Sequence, residues 1–227
     1  EELKHFKVRA AEIVRTRPDL ASLISNIEEF NADGNYLFSI MRGFRLEKLL
    51  FRLLDEKEFL SEFGIRSLSK YHEEHPFVFK HNGHHQIQYE SGESRSNMFG
   101  GNSNWRGPIW MPLNYMIIQS LRKYYLFYGK EYVYEFPTGS GVKLNLNEIA
   151  NEISKRLIKL FQPNKKGKFQ YHSEDKHQLF TKDEQFKNQH FFYEFFDGDS
   201  GKGLGASHQT GWTALVANLI MELEENS

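Results

Sequence analysis

The chain has 227 residues, with 29 Lys and Arg against 30 Asp and Glu, no Cys, and 15% aromatic residues. The near-zero net charge lacks the basic footprint of a nucleic-acid binder, and the absence of Cys excludes disulfides, thiolate catalysis and Cys-ligated zinc. No apolar run approaches the roughly 20 residues that span a bilayer, and no signal peptide is read at the start, so a soluble, cytoplasmic protein with no membrane partner is expected.

Helical periodicity dominates the chain. Helices are predicted over residues 3 to 16 and 19 to 30, the second opened by Pro18, which is pre-organised for a first helical turn. Asp33 in FNADGNYLF reads as a turn residue. In FRLEKLLFRLLDEKEFL, Leu46, Leu49, Leu50, Leu53 and Leu54 recur at helical spacing as one buried stripe. FVFKHNGHHQIQY then alternates apolar and polar residues around Asn82-Gly83, a pair that tolerates positive φ, and predicts a β-hairpin near 77 to 89. His81, His84 and His85 flank that turn, and no metal site is assigned to them.

Residues 100 to 115 read GGNSNWRGPIWMPLNY and hold two of the three Trp. Prolines and glycines beside two large rings describe a shaped surface. Trp105 and Trp110 could each lie against the apolar face of a pyranose. Arg106 between them could fork onto a carboxylate or vicinal hydroxyls, or pair internally with a structural carboxylate. A helix is predicted over 112 to 128. In NLNEIANEISKRLIKLF the stripe is Leu146, Ile149, Ile153, Leu157 and Leu160, with Asn145 and Glu148 spaced as a capping box. The connections at 56 to 76, 90 to 111, 129 to 144 and 162 to 209 are long enough to carry function.

The second dense stretch is FFYEFFDGDSGKGLGASHQTGW, before a final helix at 211 to 224. Glu194 stands alone among Phe191, Phe192, Tyr193, Phe195 and Phe196. A carboxylate buried among rings is costly unless paired, so this placement marks either a catalytic acid or base or an edge residue pointing to solvent. The glycines at 198, 201, 203 and 205 do not fit a P-loop, since no strand–loop–helix context surrounds them. Asp197 and Asp199 begin like a calcium loop, but Lys202 stands where Gly is needed and His208 where Glu is needed. The loop either brings backbone close to a ligand or is simply flexible. Trp212, near the start of the last helix, faces a cleft or the core.

Taken together, NWRGPIWMPLNY, the Glu in an aromatic run, and GLGASHQTGW opening the last helix resemble the C-terminal part of glycoside hydrolase family 63, which includes bacterial glucosidases and the mannosyl-oligosaccharide glucosidase. FGIRSLSKYH and PTGSGVKL add to the likeness, which runs in order from about residue 18 to 224. The resemblance implies a mainly α fold, the C-terminal half of an (α/α)6 barrel with long loops and the small hairpin. Residues 1 to 227 would form a single domain that is a fragment of a larger catalytic domain. The chain opens already in helical pattern without an initiator Met, as an excised piece would.

The resemblance further implies an inverting α-glycosidase acting on an oligosaccharide or small α-glycoside, with no cofactor. Glu194 matches the general base, but the family's Glu-x-Tyr becomes Glu194-Phe195-Phe196 here, so the hydrogen bond of the lost Tyr hydroxyl would have to come from elsewhere, with Tyr193 as the candidate. Asn104, Trp105, Arg106 and Trp110 match the substrate-binding stretch, and His208, Gln209 and Trp212 the edge of the same pocket. The general acid is expected upstream, so this fragment alone should be inactive, and the N-terminal part of the same polypeptide is its expected partner. The alternative is a non-catalytic carbohydrate-binding or structural α-barrel domain.

Overall fold

The computed structural model describes residues 2–24, 30–37, 39–41, 43–80, 84–95, 104–172, 180, 182–186, 189–208 and 210–225. It begins with helix α1 (Glu2–Thr16), which among its described side chains buries Ala10 alone, and α2 (Pro18–Ala21), whose first residue is the proline expected to open it. The helix predicted over 19 to 30 stops at Ala21. The Ser22 hydroxyl donates to Asp19 O at 2.8 Å, and Leu23 N turns to Leu20 O instead of continuing the α ladder. Residues 25 to 29 of that prediction lie outside the described residues. Asp33 sits in a turn closed on Asn31, whose side-chain oxygen accepts from Asp33 N and Asn35 N.

Helix α3 (Gly43–Leu53) presents Leu46 and Leu50 to the core and continues to buried Leu54, whereas Leu49 of the same expected stripe is exposed. The connection that follows is built from local pairs: β1 (Leu60–Ser61) on β2 (Gly64–Ile65), a single 3-10 turn at Lys70–Glu73 capped by Ser69, and the hairpin β3 (Phe77–Lys80) on β4 (His84–Ile87). The hairpin stands where alternation placed it. Its Asn82-Gly83 tip and His81 lie outside the described residues, as does the His84 side chain.

Helix α4 (Met111–Tyr128) follows Trp110 as its N-cap residue, has Pro112 in its first turn, and stops at Gly129, whose φ of 77° a side chain resists. Two short strands, β5 (Val133–Glu135) and β6 (Lys143–Asn145), fill the next connection and lead into α5 (Leu146–Lys159). The capping box is present there. Asn145 Oδ1 accepts from Asn147 N and Glu148 N at 3.0 Å, while Glu148 Oε2 accepts from Asn145 N at 2.8 Å. All five stripe residues of α5 are buried, each leucine or isoleucine worth about 1.5–3 kcal/mol. The last helix is split at Ala214 into α6 (Thr210–Thr213) and α7 (Leu215–Glu225).

Helices α4, α5 and α7 pack against one another around Ile118, Leu121, Ile149, Ile153, Val216 and Leu219. One polar tie crosses them. Glu222 of α7 is bridged by Arg122 of α4 and accepts from Tyr115 Oη (3.0 Å) and Gln119 Nε2 (2.9 Å), and Arg122 also reaches Asn151 of α5 at 3.3 Å. The architecture is helix-rich with small antiparallel pairs, compatible with part of a helical barrel. No helix among the described residues is long and apolar enough to cross a membrane. Between α3 and α4 an apolar cavity of about 620 Å³ stays open, lined by Leu46, Leu49, Leu53, Phe59, Ile117 and Tyr124. It shows why Leu49 is not covered: its side of α3 faces that gap.

Asn114 fixes α4 to the loop beneath it. Its Oδ1 accepts from Ile65 N at 2.7 Å, and its Nδ2 donates to Ile65 O and Trp110 O, both at 3.0 Å, in a fully buried setting. Asn114→Ala strands the N–H and C=O of Ile65 without their partner. It should cost about 2 kcal/mol or more and lower Tm by several degrees. An unchanged melting curve would show that the amide does not tie these segments.

Candidate active site

Two dense stretches meet through Ile109. Its N–H donates to Phe196 O at 2.8 Å and its carbonyl accepts from Phe196 N at 3.0 Å, while on its other side it bridges Arg66. Phe196 belongs to β7 (Phe195–Phe196), paired with β8 (Gly203–Leu204). Because Ile109 and Phe196 are antiparallel partners, the next residues, Trp110 and Phe195, fall opposite each other. Their rings stack at 4.8 Å and 20°.

Trp110 is the middle of a larger stack. Trp105 lies on it at 3.8 Å and 5°, and Trp212 meets it edge-on at 5.9 Å and 68°. Trp110 is 1% exposed, with its indole N–H on Asn104 O at 2.9 Å, whereas Trp105 is 46% exposed. The pair therefore divides its work: Trp110 supports, and Trp105 offers a flat apolar face of the size a sugar ring covers.

Glu194 adjoins this stack through its neighbour Phe195. Trp212 Nε1 donates to Glu194 O at 2.8 Å, and buried Thr213 donates to Tyr193 O at 2.6 Å, so α6 grips the main chain on both sides of the Tyr193–Glu194 bond. Glu194 N donates to Ala206 O at 2.8 Å, and Ala206 N donates back to Glu194 Oε2 at 3.3 Å. The carboxylate is half-buried. The Tyr193 ring turns inward, 5.8 Å from Tyr171, and burial pushes its hydroxyl pKa up. His208 is exposed at the rim, its ring 5.2 Å from Phe191. Gln209 lies outside the described residues.

Arg106 and Asn104 stand behind the stack. Arg106 is 7% exposed and takes the internal pairing: Nη2 meets Glu90 Oε2 at 2.9 Å and Ser94 Oγ at 2.5 Å, and Nε reaches Asn104 Oδ1 at 3.2 Å. Asn104 Nδ2 donates to Glu90 O (2.8 Å) and Gly92 O (2.7 Å). These residues knot the loop at 90 to 94 under Trp105. Sequence reading found Arg106 but not its partner, although the polar run Glu90-Ser91-Gly92-Glu93-Ser94 was the available signal. At Gly107, a Cβ would stand 2.3 Å from Glu90 O, so the knot also requires that glycine.

A second cluster missed by the sequence holds the loop after β7. Asp199 accepts from Arg66 Nη2 (3.1 Å), Lys70 Nζ (2.9 Å) and Tyr89 Oη (3.0 Å). Asp197 Oδ1 accepts from Asp199 N and Ser200 N, and its Oδ2 from Ser91 Oγ at 3.0 Å. The two aspartates fold their own loop and bind it to the segments at 66 to 70 and 89 to 91. Burial by itself would raise the Asp199 pKa. The Lys70 hydrogen bond, the Arg66 and Lys70 charges and the Tyr89 hydroxyl outweigh it and hold the pKa below the usual value.

The model of the glycosyl hydrolase family 63 C-terminal domain matches residues 39–222, and the chain belongs to that family. It is 46% identical over 225 residues to the Saccharomyces cerevisiae protein described as uncharacterized protein YMR196W, covering 98% of this chain and 21% of that protein. It is 25% identical over 178 residues to the Saccharomyces cerevisiae mannosyl-oligosaccharide glucosidase, covering 78% of this chain and 15% of that one. Alpha-glucosidase 2 of Arabidopsis thaliana is 24% identical over 162 residues, covering 71% of the chain and 14% of the relative. The chain thus spans about a fifth or less of the length of these relatives.

Asp199 gives a pH-dependent prediction. A carboxyl whose folded pKa is depressed contributes stability that is present above the unfolded value, about 3.9, and is lost as pH falls through the folded pKa. Asp199→Asn should therefore lower Tm at pH 7, and the gap from the parent should close as pH falls below about 4. A gap of constant size across that range would mean the charge of Asp199 contributes nothing.

Proposed function

We propose that this chain is the C-terminal part of the catalytic domain of an inverting, glucosidase-type glycoside hydrolase, with Glu194 as general base. The observation that carries the choice of Glu194 is its position at the Trp105–Trp110–Phe195 stack, with its backbone gripped by Trp212 and its carboxylate half-buried. The neighbouring carboxylates Glu90, Asp197 and Asp199 serve the knots beneath it.

In this reading the sugar ring of an oligosaccharide or small α-glycoside lies on Trp105. Glu194 takes a proton from the water that attacks the anomeric carbon, while a carboxylic acid on the opposite side protonates the departing oxygen. The two groups would stand roughly 6.5–9.5 Å apart, leaving room for that water. The acid comes from the part of the polypeptide outside this chain, so this chain alone does not turn over substrate. The same missing part covers the apolar cavity between α3 and α4 and completes the (α/α)6 barrel. Trp110 and Arg106 serve the sugar by holding Trp105 and its loop, and His208 edges the pocket.

Two variants of the whole protein, assayed on α-glucosyl fluoride by fluoride release, separate the roles. Glu194→Gln removes the proton acceptor and should lower kcat by about 10²–10⁴-fold with KM little changed. Trp105→Ala removes stacking surface and should act chiefly on KM. Full activity in Glu194→Gln would remove the base assignment, and sugar binding without hydrolysis in the parent protein would favour a non-catalytic carbohydrate-binding domain.

A further inference from the structure

We propose that Gly205 and the amide of Ala206 form the positioning device for the Glu194 carboxylate, and that Gly205 sets its orientation by lacking a side chain. This rests on the reading of Glu194 as the base. The loop from Asp197 to Ala206 returns antiparallel to β7 and ends against Glu194 itself. At Gly205 the backbone is left-handed, with φ of 68°, and a Cβ there would stand 2.6 Å from Glu194 Oε2, 2.9 Å from Glu194 Cβ and 3.0 Å from the Phe195 ring. The next residue closes the contact from the other side, since Ala206 N donates to the same Oε2 at 3.3 Å while Ala206 O accepts from Glu194 N at 2.8 Å.

Glu194 is thus held at its backbone and at one carboxylate oxygen by Ala206, with Gly205 leaving room for that same oxygen. The arrangement is anchored at both ends. Asp199 binds the far end of the loop to Arg66, Lys70 and Tyr89, and Trp212 and Thr213 hold the main chain at Glu194 and Tyr193. Neither the loop nor the Glu194 backbone is placed to retreat from an added methyl group. The flexible end of Glu194 rotates away from the 2.6 Å contact at the lowest cost, and the 2.9 Å approach to Glu194 Cβ, which that rotation does not relieve, presses on the residue itself, so both shifts move the carboxylate from its place. A base turned away from the attacking water loses rate, while the sugar still finds Trp105. The glycine is therefore required for the geometry of catalysis as well as for the turn.

The left-handed backbone must be separated from the contact with Glu194. Gly141 provides the control: its φ is 76°, and a Cβ there meets nothing within 4 Å. Asn tolerates positive φ better than Ala does but still carries a Cβ, so Gly205→Asn keeps the test open if Gly205→Ala fails to fold. With α-glucosyl fluoride as probe and the whole protein as enzyme, Gly205→Asn should lower kcat at least tenfold with KM within about threefold, and Gly141→Ala should leave both unchanged. Unchanged kcat in Gly205→Asn would overturn the proposal, as would a loss confined to KM. Glu194→Gln, run alongside, separates the two claims. If Glu194→Gln is inactive and Gly205→Asn is not, the positioning role alone fails; if Glu194→Gln is fully active, the base assignment fails and the positioning role with it.

Discussion

The two main-chain hydrogen bonds between Ile109 and Phe196 are the constraint on which the site depends. They join the stretch that enters α4 to the strand that directly follows Glu194, and they do so where water has no access, since both residues are fully buried. Pairing sets register, and register sets everything beside it. Trp110 must then face Phe195, Trp105 has a ring to lie on, and Glu194 follows one residue along. A slip of one position would turn Phe195 away from Trp110 and displace Glu194, which leads into the strand.

Around this pair the molecule commits its charged groups to holding loops. Glu90 binds Arg106, and Asp199 binds Arg66 and Lys70, each joining segments far apart in the chain. Such partly buried pairs add little net stability in themselves, but losing one partner is costly, and so they fix which loops lie together. The aromatic stack contributes area and stiffness, and the ion pairs contribute placement. The carboxylate of Glu194 meets a main-chain amide at the end of a loop that both kinds of interaction hold still.

Much of the helical scaffold was legible in the sequence because it is written locally. The α5 stripe and its capping box, the alternation of the 77 to 89 hairpin and the turn at Asp33 all depend on neighbours within a few residues. The helix expected to reach residue 30 was not, because the periodicity of its apolar residues says nothing of the Ser22 hydroxyl that claims a backbone carbonyl. In the site, Glu194, Trp105 and Trp212 could be singled out from composition and motif. The fate of Arg106 could not, since the choice between sugar and internal partner rests on a loop fold that brings Glu90 and Ser94 beneath it. The glycine-rich loop offered two readings, a ligand cradle or a flexible link. At Gly205 its close approach is to the protein's own Glu194.

In the proposed site Glu194 faces a sugar seated on Trp105. A crystal structure of the whole protein with a glucose-configured iminosugar bound tests this directly. The expected result is the ring against Trp105, with a water between Glu194 and the position of the anomeric carbon, and a second carboxyl group roughly 6.5–9.5 Å from Glu194 across the ring. An inhibitor bound away from Trp105, or one whose anomeric position faces a carboxylate other than Glu194 through that water, would contradict it.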